Sequence, residues 1–226
     1  MGSGIFKSVK YVLNCIVDMV FCGMENCILC GFTCGDSLLC SQCKEQLKIN
    51  YLKYPLKDKE ETFKCYSLGF YSYSIKKLVL ALKYEKNFYA GKVIGEYIVD
   101  FIKSDLKEDI DIMTFVPSSS EAMKKRGFNQ CEVICKTVSV NADIPYKGLL
   151  KKIKTTKDQI GLSTEERWEN IKDSFICINT ESIKGKNILL IDDVVTTGAT
   201  AFYCASTLKK FGANEVYILT VAKSRV

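Results

Sequence analysis

The stretch GKNILLIDDVVTTGATAFYCASTLKKFGANEVYILTVAKS, residues 185 to 224, limits the fold more than any other part of this chain. Residues 185 to 193 form a continuous apolar run that predicts a strand buried on both faces. Residues 198 to 212 have helical spacing, with Lys209 and Lys210 in the last turn and Gly212 to close it. Residues 215 to 224 are a second apolar strand. Strand, helix and strand in this order need a parallel crossover, so the expected class is α/β with helices covering a parallel sheet. Ligands on such sheets sit beyond the carboxyl ends of the strands, where Asp192 and Asp193 stand.

The alternation continues upstream. Strands are expected over residues 65 to 73 and 111 to 117, the second stopped by Pro117. Helices are expected over 74 to 84, with Ser74 as N-cap, and over 90 to 104 and 129 to 140. Residues 48 to 64 are polar, charged and carry Pro55, which predicts a helix end plus linker and a domain boundary near residue 62. The expected organisation is residues 1–62 as an N-terminal helix and cysteine module, and 63–226 as the α/β domain. Near the N-terminus, Val12, Leu13, Ile16, Val17 and Val20 fall at helical spacing, while Asn14 and Asp18 break the apolar run. This predicts an amphipathic helix packed on the protein, no membrane insertion and a cytoplasmic location.

Seven of the twelve cysteines lie between residues 15 and 43. Among them, CILC (Cys27, Cys30) and CSQC (Cys40, Cys43) are the paired CxxC pattern that wraps a tetrahedral zinc. Four thiolates would leave the metal no open position, so the zinc would be structural. The competing reading is a set of reduced, partly buried thiols, and Cys22 and Cys34 stand near enough to compete as ligands. Cys65, Cys131, Cys135, Cys177 and Cys204 are isolated and read as small core residues.

There is no histidine, which removes His-based nucleophile activation, His ligands and a His general base. The stretch 194 to 200 (Val194, Val195, Thr196, Thr197, Gly198, Ala199, Thr200) joins the strand to the following helix. Free amides at a helix N-terminus, three threonine hydroxyls and a glycine suit a phosphate. Asp192 and Asp193 would repel that phosphate, but suit neutral hydroxyls beside it or a hard cation such as Mg²⁺. Phosphate, hydroxyls and a Mg²⁺-bound pyrophosphate together describe phosphoribosyl pyrophosphate (PRPP). A Walker-type site would need a GxxxxGK[ST] loop, and none is present.

IDDVVTTGAT resembles the ribose-phosphate motif of type I phosphoribosyltransferases. With CILCG, LCSQC, LVLALKY (78 to 84), KRGFNQ (125 to 130) and QIGLSTEERWENIKDSF (159 to 175), the chain resembles the ComF family of DNA-uptake (competence) proteins and its GntX relatives. The resemblance implies a type I phosphoribosyltransferase-like parallel sheet flanked by helices, preceded by a small zinc module. It also implies that Asp192 and Asp193 hold ribose hydroxyls and help balance charge, and that residues 194 to 200 hold the 5′-phosphate. Lys83 and Tyr84 occupy the family's KY loop, where a lysine can meet pyrophosphate. Arg126, Gly127, Phe128, Asn129 and Gln130 match the RGFNQ motif, as another rim of the site or as a solvated turn. After Val116 and Pro117 the family often has basic residues, whereas here Ser118 to Ser120, Glu121 and Ala122 reduce the charge.

Charge distribution opens a second reading. Residues 121 to 157 hold nine Lys/Arg and three Asp/Glu, a surplus equal to the +6 of the whole chain. Lys124, Lys125, Lys147, Lys151, Lys152, Lys154 and Lys157 are therefore candidate contacts to single-stranded DNA, or else a lysine-rich surface loop. Three functions compete: a phosphoribosyltransferase with an unidentified acceptor, a competence factor binding PRPP with DNA or recombination partners, and a zinc-dependent scaffold with a vestigial site.

Overall fold

The computed structural model describes residues 25–58, 61–154 and 163–225. The amphipathic helix expected before residue 25, Cys22, and Lys157 lie outside the described residues. The chain divides into two compact units, Met1–Gln46 and Leu47–Val226.

In the first unit, Cys27 to Phe32 form a tight turn in which the Cys27 amide donates to the Phe32 carbonyl at 2.8 Å. A bridge between Asn26 and Thr33 closes this turn. Gly31 and Gly35 take φ of +76° and +61°, the left-handed region that glycine enters at least cost. The short helix α1 (Ser41–Gln46) then carries Cys43 on its buried side.

The second unit is built on a five-stranded sheet in the order β1-β2-β7-β6-β3. Its strands are β1 (Leu52–Asp58), β2 (Glu61–Ser67), β3 (Ile112–Phe115), β6 (Asn187–Val195) and β7 (Glu215–Lys223). The pairs β2–β7, β7–β6 and β6–β3 are parallel, as the crossover argument requires. A separate antiparallel pair joins β4 (Leu150–Lys152) to β5 (Phe175–Cys177).

The expected linker at 48 to 64 is instead the start of a hairpin, β1 antiparallel to β2. Its charge misleads because β1 is an edge strand with one solvated face. Lys53, Pro55 and Lys57 point outward, while Tyr54 is half-buried and Leu56 is buried. Pro55 is tolerated there because an edge strand has no outer partner to receive an N–H. The hairpin falls within the second unit, Leu47–Val226. Strand β2 correspondingly ends at Ser67, short of the expected residue 73.

Helices cover both faces. Ile188 and Leu190 of β6 join a buried cluster with Ala201, Phe202, Ala205 and Leu208 of α7 (Ala199–Lys210). The alternate residues Leu189 and Ile191 are also fully buried and, by the period of a strand, face the opposite side. There α5 (Gln130–Ala142) packs on β3 and β6, and α3 (Phe88–Ser104) packs on α5. Helix α2 (Tyr73–Tyr84) starts after Ser72, two residues earlier than the Ser74 cap expected. Asn87 caps α3 by accepting from the amides of Tyr89 and Ala90. Ser163 and Glu166 form a capping box on α6 (Thr164–Ile171), whose Trp168 packs edge-on against Phe202 and Tyr203 of α7.

Helices α3 and α5 approach closely at Gly91 and Gly95. A Cβ on Gly95 would lie 2.7 Å from the Thr137 Cβ and 2.6 Å from its Cγ2. The atom in the way is next to the α5 backbone and has little room to give. Gly95→Ala should therefore destabilise the protein by about 1–3 kcal/mol through overpacking, outweighing the gain of about 1 kcal/mol in helix propensity. Urea denaturation of the two proteins measures this directly; a stabilised variant would show that the helices can part.

Candidate functional site

Two clusters stand out, one in each unit. In the first unit the ligand atoms of Cys27, Cys30, Cys40 and Cys43 all lie within 4.8 Å of one another. The Cys30 and Cys40 sulfurs are 3.7 Å apart. Four sulfurs ~2.3 Å from a zinc stand ~3.8 Å from each other along a tetrahedron's edge, so the cluster has the size of such a site. Burial works against the Cys27 thiolate, but amides of Cys40, Cys30 and Leu29 bond to it and hold its pKa down, to about 6. A low thiol pKa is what metal ligation needs. Cys34 is outside the group, with its thiol donating to the Ser37 carbonyl at 2.8 Å.

The second cluster stands at the carboxyl end of β6. Both Asp192 and Asp193 are buried. Lys83, the penultimate residue of α2, places its Nζ 2.6 Å from Asp193 Oδ2. Gln130, the first residue of α5, donates its Nε2 to the same oxygen at 2.5 Å. The Val194 amide donates to Asp193 Oδ1 at 2.6 Å. Asp192 Oδ1 accepts the Asp193 amide at 2.8 Å and the Cys131 thiol at 3.7 Å.

Burial is the largest influence on Asp192, followed by repulsion from Asp193, and together they push its carboxyl up to about 7. Burial alone would weaken the Lys83 ammonium, but the Asp193 carboxylate raises its pKa above the ordinary value. Cys131 is buried against both acids, and its thiol is pushed well up. Its donor atoms with Asp192 and Asp193 also form a compact group. A hard cation prefers the two carboxylates to the thiol, and Lys83 already supplies positive charge at Asp193.

A cleft of about 300 Å³ opens over this pair, lined by Lys83, Arg126, Gln130 and residues 192 to 201. Its far wall is the loop into α7. Gly198 there has φ +87°, and a Cβ at this position would meet Leu56 Cδ1 at 2.3 Å. The hairpin strand β1 thus presses on the loop from behind, and only glycine fits between. The Ala199 amide reaches Thr197 Oγ1 at 3.5 Å.

The predicted residues divide. Asp192 to Thr200, Lys83, Arg126 and Gln130 come together around one cleft. Tyr84 is exposed and meets the site through the Arg126 guanidinium, whose carbon lies 5.6 Å from its ring centroid. Gly127 caps α4 (Ser120–Arg126) with φ +84°. Phe128 packs on Phe88, and Asn129 donates to the Val116 carbonyl at 2.9 Å. These three shape the loop that aims Arg126 and Gln130. Cys131, read from sequence as plain core, is a neighbour of the acid pair; its place beside Gln130 in the first turn of α5 was the only signal.

The candidate DNA lysines lie on separate elements. Lys124 and Lys125 are exposed on α4. Lys147 donates to Ser182 Oγ at 3.0 Å and Lys154 to the Lys172 carbonyl at 2.9 Å. Lys151 is exposed on β4, while Lys152 beside it is half-buried, and burial lowers its pKa.

Residues 126–226 match the Phosphoribosyl transferase domain family. Over these residues the chain is similar to a phosphoribosyl transferase domain. The resemblance to ComF-type competence proteins is also borne out. Competence protein F of Haemophilus influenzae is 26% identical over 208 residues, spanning 82% of this chain and 90% of that protein. Competence protein ComFC of Streptococcus pneumoniae is 24% identical over 229 residues, spanning 87% and 99%. DNA utilization protein YhgH of Salmonella typhi is 28% identical over 115 residues, half of each chain.

The raised Asp192 pKa gives the second unit a pH signature. An unfolded Asp titrates near ~3.9. Between that value and about 7 the folded chain keeps a proton that the unfolded chain has lost. Stability from this group therefore falls as pH rises across that window and levels off above it. Asp192→Asn removes the effect, so the variant should gain on the wild type from about pH 4 to about pH 7 and then hold a constant difference. Paired urea titrations would read this, and a pH-independent difference would refute it.

Proposed function

We propose that this chain is a ComF-type protein of DNA uptake and transformation, acting in the cytoplasm. Its phosphoribosyl transferase domain would bind PRPP with Mg²⁺, and its N-terminal unit would hold a structural zinc. The observation that carries the reading is the cleft itself. Two buried carboxylates and a threonine-rich loop at a helix N-terminus face one space, in a chain similar to Competence protein F along most of its length. Among the described residues no helix is long and apolar enough to cross a membrane.

In this reading the amides and hydroxyls of residues 196 to 200 take the 5′-phosphate. Asp192 and Asp193 accept from the ribose hydroxyls, and Gln130 fixes the orientation of Asp193. Mg²⁺, when bound, would neutralise pyrophosphate charge, using carboxylate and ligand oxygens. If an acceptor is present, a nitrogen nucleophile displaces pyrophosphate at the sugar C1. The positive charge that develops on the ribose faces the acid pair. The acceptor is unassigned, so binding without turnover is the part of the reading that the site supports most directly. Exposed Lys124, Lys125, Lys147, Lys151 and Lys154 favour a second role in contacting single-stranded DNA.

Calorimetric titration of PRPP with Mg²⁺ tests the main reading. The wild type should bind, and Asp192→Asn/Asp193→Asn should weaken binding about tenfold, since hydroxyl acceptors are lost where the exchange of hydrogen bonds brings only a small net gain. Equal binding by both proteins would place the ligand elsewhere. For the N-terminal unit, metal analysis should find about one zinc per chain, and Cys40→Ser should lose it and open residues 25 to 46 to protease. Full resistance of the metal-free variant would remove the structural role.

A further inference from the structure

A helix that buries one face ordinarily turns charged and small polar residues to water. Helix α2 does otherwise. At 3.6 residues per turn, Ile75, Leu78, Val79 and Leu82 make up its buried side, while Tyr73, Lys77, Leu80 and Tyr84 follow one another along the opposite side. Tyr73 is 73% exposed and Tyr84 is 62% exposed. A helix rises ~1.5 Å per residue, so the two rings mark out about 16 Å of its length. The helix carries Lys76, Lys77 and Lys83 and no acid. Lys83 is turned to Asp193, and the other two lysines stay on the outer side.

Each exposed ring along this side has a cation against it. Lys77 Nζ lies 4.9 Å from the centre of the Tyr73 ring. Just before the helix, the Arg225 guanidinium carbon lies 4.7 Å from the centre of the Phe70 ring, which is 37% exposed. At the far end Tyr84 has Arg126 beside it. The loop that carries Phe70 is pinned to the end of β7, since Phe70 bridges to Lys223 and the Tyr71 amide donates to the Lys223 carbonyl at 2.8 Å. The rings and cations are thus set out on a rigid helix and a braced loop, away from the acid pair.

We infer that the outer side of α2 is a track for single-stranded DNA, with Tyr73 as its stacking platform and Lys76 and Lys77 as its phosphate contacts. This deepens the DNA-contact role proposed above and moves its centre from the lysines of β4 to α2; it does not depend on PRPP binding. A protein partner with an apolar face would use the rings and Leu80 alone. A cation beside every ring suits a ligand that alternates flat aromatic faces with negative charge, which is the makeup of a single strand. A duplex keeps its bases stacked on one another and offers this surface only its phosphates. At 73% exposure the Tyr73 ring has Lys77 on one side and open water around the rest, so a base can stack there with its phosphate within reach of the lysines.

The test is fluorescence anisotropy of a labelled oligothymidylate with the full-length, zinc-loaded protein over a range of salt concentrations. Wild type should bind, more weakly as salt rises. Tyr73→Ala should lose about fivefold to a hundredfold in affinity at every salt concentration with the salt slope unchanged, and Tyr73→Phe should keep the wild-type affinity. Lys76→Ala/Lys77→Ala should lower the salt slope by about 1.4, from two phosphate contacts at ~0.7 each on a single strand. The urea midpoint of each variant should stay at the wild-type value, because these side chains lie on the water side of the helix. A duplex should bind more weakly than the single strand and be indifferent to Tyr73. Single-strand binding that Tyr73→Ala leaves intact and Lys151→Ala/Lys154→Ala abolishes overturns the inference while leaving the DNA role in place. A self-association that Tyr73→Ala disrupts, with DNA affinity unchanged, also overturns it and makes the stripe an interface between copies of this chain. Wild type that binds no strand overturns both the inference and the DNA role, and leaves the PRPP reading to its own titration.

Discussion

Asp193 is a carboxylate removed from water, and much of the second unit is arranged around keeping it charged. Its Oδ2 is met by an ammonium from the end of α2 and an amide from the start of α5, and its Oδ1 by the next backbone N–H. Two elements far apart in the chain thus converge on one residue at the tip of β6. An unpaired buried carboxylate costs several kcal/mol, so each of these donors is a constraint on where its helix can end. The strand beneath them cannot shift to relieve the site. It is fully buried from Ile188 to Ile191 and paired in parallel on both sides, so a slip of one residue would turn every side chain to the wrong face.

The two acids answer their surroundings differently. Asp193 has the lysine; Asp192 has the Asp193 amide and a thiol too weakly acidic to help. Asp193 is thus ion-paired with Lys83, while Asp192 holds its proton up to about pH 7. Adjacent carboxylates on a strand end are easily read as two equivalent ligands, and burial is what breaks the equivalence.

What could be read from the sequence was whatever depends on local order. The run ILLIDD, the glycine and threonines after it, and the helix beyond gave strand, loop and helix at nearly their observed positions, because a buried parallel strand has no polar face to confuse the pattern. The doubled CxxC was legible for the same reason, since ligand spacing is local. The hairpin was not legible: Lys53, Pro55 and Lys57 obscured a strand in whose inner face only Leu56 is fully buried, beside half-buried Leu52, Tyr54 and Asp58. Nor was the partner of Lys83. Its place in a KY loop suggested a ligand contact, and only the packing of α2 against the sheet brings it to Asp193. Gln130 was assigned to a rim when it bonds directly to the acid, a fact fixed by where α5 begins and not by any spacing.

These contacts set terms for any ligand of the cleft. Every acceptor of Asp193 already has a donor, so a ribose hydroxyl would gain its bond by sharing or displacing Gln130 or a neighbour, and the net benefit of such an exchange is small. The carboxylates alone are then a poor source of affinity. The loop at the α7 N-terminus is different. Its helix dipole and the hydroxyls of Thr196 and Thr197 face a cleft in which Gly198 is already held in place by Leu56, so an anion there meets donors that need little rearrangement. Affinity would come from the phosphate end and selectivity from the acid pair, where a ligand without correctly placed hydroxyls would leave the rearranged donors unpaired. Under the proposed ribose-phosphate reading, a site organised this way would favour a phosphorylated sugar over either a bare phosphate or a bare sugar. The hairpin that sequence reading took for a linker takes part in this, because Leu56 packs against Gly198 in that loop.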